Sequence, residues 1–265
     1  PTEFGVRWWG TGHGIRFERL RLDLYFQAVD LSAEQPGDLV DITLDGCVLT
    51  RSYNTRGSHS QGLGAGRIRG LHLVDCVLDR NGWNPDVPNA PRTGFNHNAY
   101  IYQCSDVLIE GTVFSRGSNM GLKLRSDIHG GMRGVTVRGC LFVGNLTGTK
   151  ASSDRIDGVH DATVIDDVTV EGNVITHNGG SPAGGDELGV GVELEQVDGA
   201  MVADNLFVDK TAQTNWYAIN VATGLPFGGI EVRRNIVDRW PAQEPLINGS
   251  ARTRVASDGN LVNTG

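Results

Sequence analysis

Three pairs of side chains at i, i+2 spacing carry the chemistry open to this chain. Tyr100 and Tyr102 stand in AYIYQ (99–103), Lys123 and Arg125 in GLKLRS (121–126), and Glu193 and Glu195 in VGVELEQ (190–196). Successive side chains along a strand point to opposite faces. Ala99, Ile101, Leu122, Leu124, Val190, Val192 and Leu194 therefore turn inward, and the three pairs turn outward on one face. In YAINVA (217–222), Ile219 and Val221 follow the inward pattern and Asn220 the outward one. A solvated face carries Thr, Ser, Lys and Asp at random, whereas an aromatic, a basic and an acidic pair in succession read as a ligand surface. Paired carboxylates about 5–10 Å apart can hydrolyse a glycosidic bond. Glutamates at i, i+2 stand about 6.5–7 Å apart, and Asp157 and Asp161 are alternative partners for them.

Loops add to this face. RNGWNPDVPNAPRTGFNHN (80–98) carries Trp83, Arg92, Phe95, Asn96, His97 and Asn98, a set suited to stacking on and hydrogen bonding a saccharide. His59 and Gln61, in SHSQGLGAG (58–66), would line the same cleft one coil earlier, and His160, in GVHDATV (158–164), would fill the gap between Arg125 and Glu193. Loops of more than about 12 residues without their own structure tend to be functional. The competing reading is a solvated basic pair with loop tips that vary because nothing constrains them.

Composition narrows the choices. A net charge of −8 with no basic stripe argues against nucleic acid as a partner. Residues 1–38, 39–150 and 151–265 carry net charges of −2, +4 and −10, so a basic middle that could receive an anionic polymer adjoins an acidic end. No apolar run approaches the roughly 18–20 residues that would span a bilayer. Pro1 to Gly10 read as entering in mid-strand, which creates the expectation of a mature or trimmed chain. No phosphate loop, nucleophile elbow or cysteine–histidine metal signature is present.

The elements that must hold these residues form a repeat. VDITLDGCVL (40–49), GLHLVDCVL (70–78), DVLIEGTVF (106–114), GVTVRGCLF (134–142), DVTVEGNVI (167–175), GAMVADNLF (199–207), GIEVRRNIV (229–237) and SDGNLV (257–262) each read as a short strand, a polar corner and an apolar pair. Cys47, Cys76, Thr112, Cys140, Asn173, Asn205, Asn235 and Asn260 hold the corner. Their spacing varies from 25 to 36 residues while the corner register never slips, as expected of coils whose strands stack and whose loops vary. Stacked coils place equivalent residues about 4.8 Å apart, so the asparagines form a ladder and the cysteines read as small buried rungs. Nearly all length variation falls in loops 51–60, 80–98, 115–119, 144–157, 177–187 and 209–216. These share one junction and should wall the face described above. The expectation is one all-β domain over residues 1–265, a right-handed parallel β-helix of about eight coils, with Trp8 and Trp9 capping one end of its core.

Such ladders resemble those of pectate-lyase-like β-helices. The stretch NHNAYIYQCSDVLIEGTVF followed by SNMGLKLRS looks like the core of secreted bacterial members of the polysaccharide-lyase-like group. That family of carbohydrate-active proteins includes pectate, alginate and chondroitin lyases, epimerases, some glycoside hydrolases and phage tailspikes. The resemblance implies a polysaccharide partner, a secreted or periplasmic address, and cleavage of a uronate-containing polymer by β-elimination. In this reading Lys123 is the base, Arg125 grips the carboxylate, and Tyr100 or His97 protonates the leaving oxygen. Calcium is the cofactor the family brings in, although Lys123 and Arg125 share one strand here and no carboxylate set stands beside them. Two alternatives stay open: a glycoside hydrolase using Glu193 and Glu195, and a non-catalytic carbohydrate-binding or tail-adhesin β-helix.

Overall fold

Period-2 alternation makes each corner segment a strand, and the corner breaks it in two. In the computed structural model, the halves before the corner stack into a nine-stranded parallel sheet running from Gly12–Glu18 to Val255–Asp258. The apolar pairs after the corner stack into a second nine-stranded parallel sheet, from Arg21–Asp23 to Leu261–Asn263. The strands upstream of the corner form a third sheet, hereafter the site sheet. Its eight strands are Phe4–Trp9, Gln27–Ser32, Leu63–Gly66, Ala99–Tyr102, Met120–Ser126, Thr147–Ser153, Val192–Glu195 and Ile219–Val221. The chain visits the three sheets in rotation and so forms a parallel β-helix. Among the described residues it completes eight coils and two faces of a ninth. The structure describes residues 3–126, 131–145, 147–153, 155–156, 159–160, 165–179, 189–209, 217–222, 228–240, 246–247 and 255–263.

Inward residues of all three sheets make one continuous core. Leu49, Leu78, Phe114, Phe142, Ile175, Phe207 and Val237 occupy one column along it, all fully buried, and Phe114 and Phe142 stack at 4.9 Å. Each such side chain contributes about 1.5–3 kcal/mol of burial.

The corners are hydrogen-bonded from coil to coil. Asn173, Asn205, Asn235 and Asn260 each donate Nδ2 to a carbonyl of the preceding coil, those of Val137, Val170, Val202 and Val232, at 2.8–3.0 Å. Their Oδ1 atoms accept the backbone N–H of the corner before, as Asn205 does from Asn173 at 3.0 Å. At the earlier corners the thiol takes over the donor role. Cys47, Cys76 and Cys140 lie 3.4–3.6 Å from the carbonyls of Phe17, Leu44 and Ile109, which occupy the same rung as Val137. All four cysteines are buried thiols, with no disulfide.

A second ladder, not foreseen from the sequence, follows the strands of the second nine-stranded sheet. Asn81 Nδ2 donates to Leu49 O at 2.9 Å and Asn145 Nδ2 to Phe114 O at 2.8 Å. On the coil between them the equivalent residue is Gly117, which has no amide. Asn98 fills that rung from the far end of loop 80–98. Its Oδ1 accepts from Asn81 Nδ2 at 2.9 Å, and its Nδ2 donates to Ser115 O at 2.9 Å and Asn145 Oδ1 at 3.1 Å. A Cβ at Gly117 would stand 2.8 Å from that amide nitrogen. The loop thus returns to the sheet at one register only.

Four expectations need correction. Residues 147–153 lie not in a loop but in the site sheet, where Lys150 pairs with Lys123 on one side and Glu193 on the other. TGTKASS hides the strand because its inward positions Thr147 and Thr149 are polar, though buried. His160 is not on the site sheet: Val159–His160 pairs antiparallel with Arg155–Ile156, so it does not fill the gap assigned to it. A coil precedes the first recognised corner, with Leu20 in the corner position and charged Glu18 and Arg19 masking the pattern. Of the two early tryptophans, only Trp8 lies on the inward side, opposite Leu31; Trp9 faces outward.

The ladders set a stability expectation. Asn98→Ala, Asn205→Ala and Asn235→Ala should each cost roughly 1–3 kcal/mol in urea unfolding, because each leaves buried partners without a hydrogen bond. Losses below about 0.5 kcal/mol at all three would mean that these corners are solvated.

Candidate functional site

Parallel register stacks the outward side chains of the site sheet into two rows. One runs Arg7, Asp30, Gly64, Tyr100, Lys123, Lys150, Glu193, Asn220; the other runs Trp9, Ser32, Gly66, Tyr102, Arg125 and, two strands on, Glu195. Neighbours in a row stand about one strand spacing, 4.8 Å, apart. Tyr100, Tyr102, Lys123 and Arg125 therefore form a two-by-two block. The two tyrosine rings tilt together at 5.6 Å, and Lys123 Nζ lies 5.7 Å from the Tyr100 ring centre.

Lys123 is the most perturbed base in the block. Burial, then the adjacent charges of Arg125 and Lys150, bring its pKa down to about 8, against a partial counter-pull from Glu195 and Glu193. Lys150 behaves differently on the next rung. Its Nζ is 3.1 Å from both Glu193 Oε1 and Glu195 Oε2, and the two glutamates outweigh burial to hold its pKa up. Adjacent lysines thus separate into one readily deprotonated amine and one fixed cation.

His97 sits behind Tyr100, fully buried, with the two rings stacked at 6.0 Å. Its pKa is well below the ordinary value, first because of burial and then because of Lys123. Met120 N approaches Nδ1 at 3.4 Å, which assigns the proton of the neutral ring to Nε2. His97 is a neutral donor, not a reservoir of acid.

The preceding coil opens the cleft. The strand Leu63–Gly66 presents Gly64 and Gly66 outward, and the neighbouring side chains fold into the vacant space. A Cβ at Gly66 would collide with the Tyr102 ring, and one at Gly64 with the Gln27 amide. Tyr102 reaches across Gly66 to Ser32 Oγ, 3.1 Å away. Asp30 beyond Gly64 is almost buried. Burial raises its pKa against the Trp9 Nε1 donor at 2.9 Å and Arg7 at 3.4 Å. The hollow over this floor holds about 380 Å³, and its walls include His59, Gln61, Phe95 and His97.

The structure thus brings together eight of the residues singled out in the sequence: His59, Gln61, Phe95, His97, Tyr100, Tyr102, Lys123 and Arg125. Gln61 serves the loop, donating to Phe95 O at 3.1 Å and accepting from His97 N at 2.6 Å. Asn96 is not a saccharide contact: it is buried, accepts from Ser60 N and donates to Gly82 O. Trp83 and Arg92 line a different hollow and do not border this cleft. Glu193 and Glu195 are engaged by Lys150, which removes them as a calcium pair and as an open carboxylate dyad. Among the described residues no group of three or more His, Cys, Asp or Glu side chains could hold a metal, so this donor set does not fit calcium. Asp157 and Asp161 lie outside the described residues. Gln27, Asp30 and Lys150 were missed. The Gly–x–Gly of LGAG, which leaves room for side chains from both neighbouring coils, was the available signal.

No known family model and no curated protein matches the sequence. Among solved structures, the chain is similar to PfbA, a surface adhesin of Streptococcus pneumoniae, at 13% identity and a TM-score of 0.41, over 98% of this chain and 72% of that one. It is also similar to mutant tailspike proteins of E. coli bacteriophage HK620 in complex with a pentasaccharide and with a hexasaccharide. These match at 15% and 14% identity and TM-scores of 0.32 and 0.33, over 96% and 98% of this chain. The chain spans little more than half of those tailspike chains, 56% and 58%. At such identities the likeness concerns fold, not chemistry. No helix among the described residues is long and apolar enough to cross a membrane.

The glycine floor gives a direct check. The backbone of Gly66 is outside the left-handed region, so alanine there would otherwise be neutral or stabilising by about 0.4–1 kcal/mol. Gly66→Ala should instead destabilise by at least the roughly 0.5–1.5 kcal/mol expected of Tyr102→Phe, which loses only the bond to Ser32. A Gly66→Ala protein with an unchanged melting temperature would show that the Tyr102 ring does not occupy the gap.

Proposed function

We propose that the site sheet binds an acidic, uronate-containing polysaccharide and cleaves it by β-elimination, with Lys123 as the base. The observation that carries this reading is Lys123 itself: an amine with its pKa brought down to about 8, in a cleft, one rung from a fixed cation and beside an arginine. Neutral Lys123 Nζ takes the proton from the carbon beside the uronate carboxylate. The electron pair of that C–H bond becomes the new carbon–carbon double bond as the bond to the glycosidic oxygen breaks. The Tyr100 hydroxyl protonates the departing oxygen, a role better suited to it than to a buried neutral His97. Arg125 holds the carboxylate, and Lys150 adds the positive field that the family obtains from calcium. The cycle closes when the unsaturated and the reducing-end products leave, Lys123 gives the abstracted proton to solvent and Tyr100 regains one.

A hydrolase would need an open carboxylate pair, and Glu193 and Glu195 are both occupied by Lys150. A purely binding role draws its support from the Tyr100–Tyr102 platform, a surface for stacking sugar rings. An extracellular polymer as ligand accords with a secreted or periplasmic address.

Incubation with a panel of uronate polymers, with and without calcium, separates these readings. A lyase raises ultraviolet absorbance from unsaturated ends together with reducing ends; reducing ends alone indicate hydrolysis, and binding with neither indicates an adhesin-like module. Lys123→Ala should abolish turnover with little change in melting temperature, and Arg125→Lys should weaken capture because a point charge cannot grip a carboxylate at two atoms. Tyr100→Phe should cost more turnover than His97→Ala. Because the base works deprotonated, kcat/KM should rise with pH through about 8. Removing the positive neighbour with Lys150→Met should move that limb to higher pH. A limb that stays in place would contradict this assignment of Lys123.

A further inference from the structure

Loop 80–98 has a second working end. Its C-terminal part, Phe95 and His97, borders the cleft, while residues 83–92 fold into a cup of about 500 Å³ on the other side. No residue lines both hollows. Three backbone hydrogen bonds close the cup, from Asn84 N to Ala90 O, Val87 N to Asn84 O and Ala90 N to Val87 O, at 2.9–3.3 Å. Ser118 Oγ clamps its return through Thr93 N at 2.7 Å and Thr93 O at 3.0 Å. Trp83 is pinned by Nε1 donating to Arg116 O at 2.8 Å, and Arg116 is itself held by Asp79. The cup is therefore preformed.

Arg92 lies within it, its guanidinium 4.1 Å over the Trp83 ring. Its Nε is buried without a hydrogen-bond partner, and burial alone lowers its pKa. The loop's single acid, Asp86, acts on Arg51 instead. Among the described residues no carboxylate pairs with Arg92. A desolvated cation without a counter-charge is costly, and a planar guanidinium held flat on an indole presents its edge to an incoming carboxylate. Pro85, Val87 and Pro91 supply the apolar wall against which the CH face of a sugar ring can pack.

We propose that this cup is a second saccharide-binding site, taking a sugar ring that carries a carboxylate, with Arg92 as its anion receptor and Trp83 as the support that holds the guanidinium flat. The site is separate from the cleft and independent of the lysine chemistry there.

The test follows the Trp83 indole N–H by ¹H–¹⁵N NMR, its resonance identified among the five tryptophans by its loss in Trp83→Phe. D-Glucuronate should shift it saturably, and D-glucose, which lacks the carboxylate, should not. The shift should persist in Lys123→Ala, where the cleft is disabled, and vanish in Arg92→Gln. Arg92→Lys should weaken the affinity by at least about tenfold, the equivalent of roughly 1.4 kcal/mol. The unliganded spectra of both variants report whether the cup has kept its fold. No saturable shift with glucuronate, an equal shift with glucose, or a shift that survives Arg92→Gln with the cup intact would each overturn the proposal.

Discussion

Each coil bends at its polar corner around a dry core, and there a carbonyl of the preceding coil needs a donor from a side chain. The corner side chains resolve this by donating to the coil beneath: an asparagine amide at four corners, a thiol at three. The donor lies almost directly over its acceptor, so the bond forms only when successive coils are in register. That requirement fixes the vertical alignment of everything else. A one-residue slip would turn the inward face of a strand outward, burying Lys123 and exposing Leu122 and Leu124. The chemistry of the outward rows is thus a consequence of hydrogen bonds made at the opposite side of the coil.

The cleft is shaped by what is missing as much as by what is present. LGAG supplies two outward positions without side chains, and Tyr102 and Gln27 lean into the space from the coils on either side. Absence of a side chain at Gly117 works the same way in the second ladder. There it admits Asn98, which anchors the end of loop 80–98 one residue from His97 and two from Tyr100. One missing side chain thereby connects the stability of the second ladder to the position of the cleft wall.

Much of this was legible in the sequence, for a physical reason. Alternation in AYIYQ, GLKLRS and VGVELEQ is unambiguous, and the corner residues recur at an invariant place, so the fold and the facing of Tyr100, Lys123 and Glu193 follow directly. What escaped notice did so where local and tertiary signals diverge. TGTKASS buries threonines and keeps Ala151 as its one inward apolar residue, so it carries almost no alternation and Lys150 was read as a loop residue. GVHDATV looks like a strand, yet its Val159–His160 portion pairs within a short antiparallel excursion. Trp83 and Arg92 share a loop with His97, but sequence proximity does not say which way a long loop folds, and they belong to another hollow.

The ladder principle also accounts for the electrostatics of the site. In a stack of parallel strands, like charges on adjacent rungs are held about one strand spacing apart. At an effective dielectric of 20 two unit charges at 4.8 Å repel by about 3 kcal/mol. The fold cannot relieve this by sliding, because the corners fix the register. Relief has to come from loss of a proton or from counter-charge, and the next coil supplies direct ion pairs to Lys150, through Glu193 and Glu195, and only a weaker pull to Lys123. Lys123, one rung further from those acids and beside Arg125, is left with desolvation and repulsion, and it responds by losing its proton more easily. The same geometry that makes asparagine stacking favourable makes lysine stacking unfavourable. An amine with its pKa lowered to about 8 arises here from burial together with the order of residues along a row.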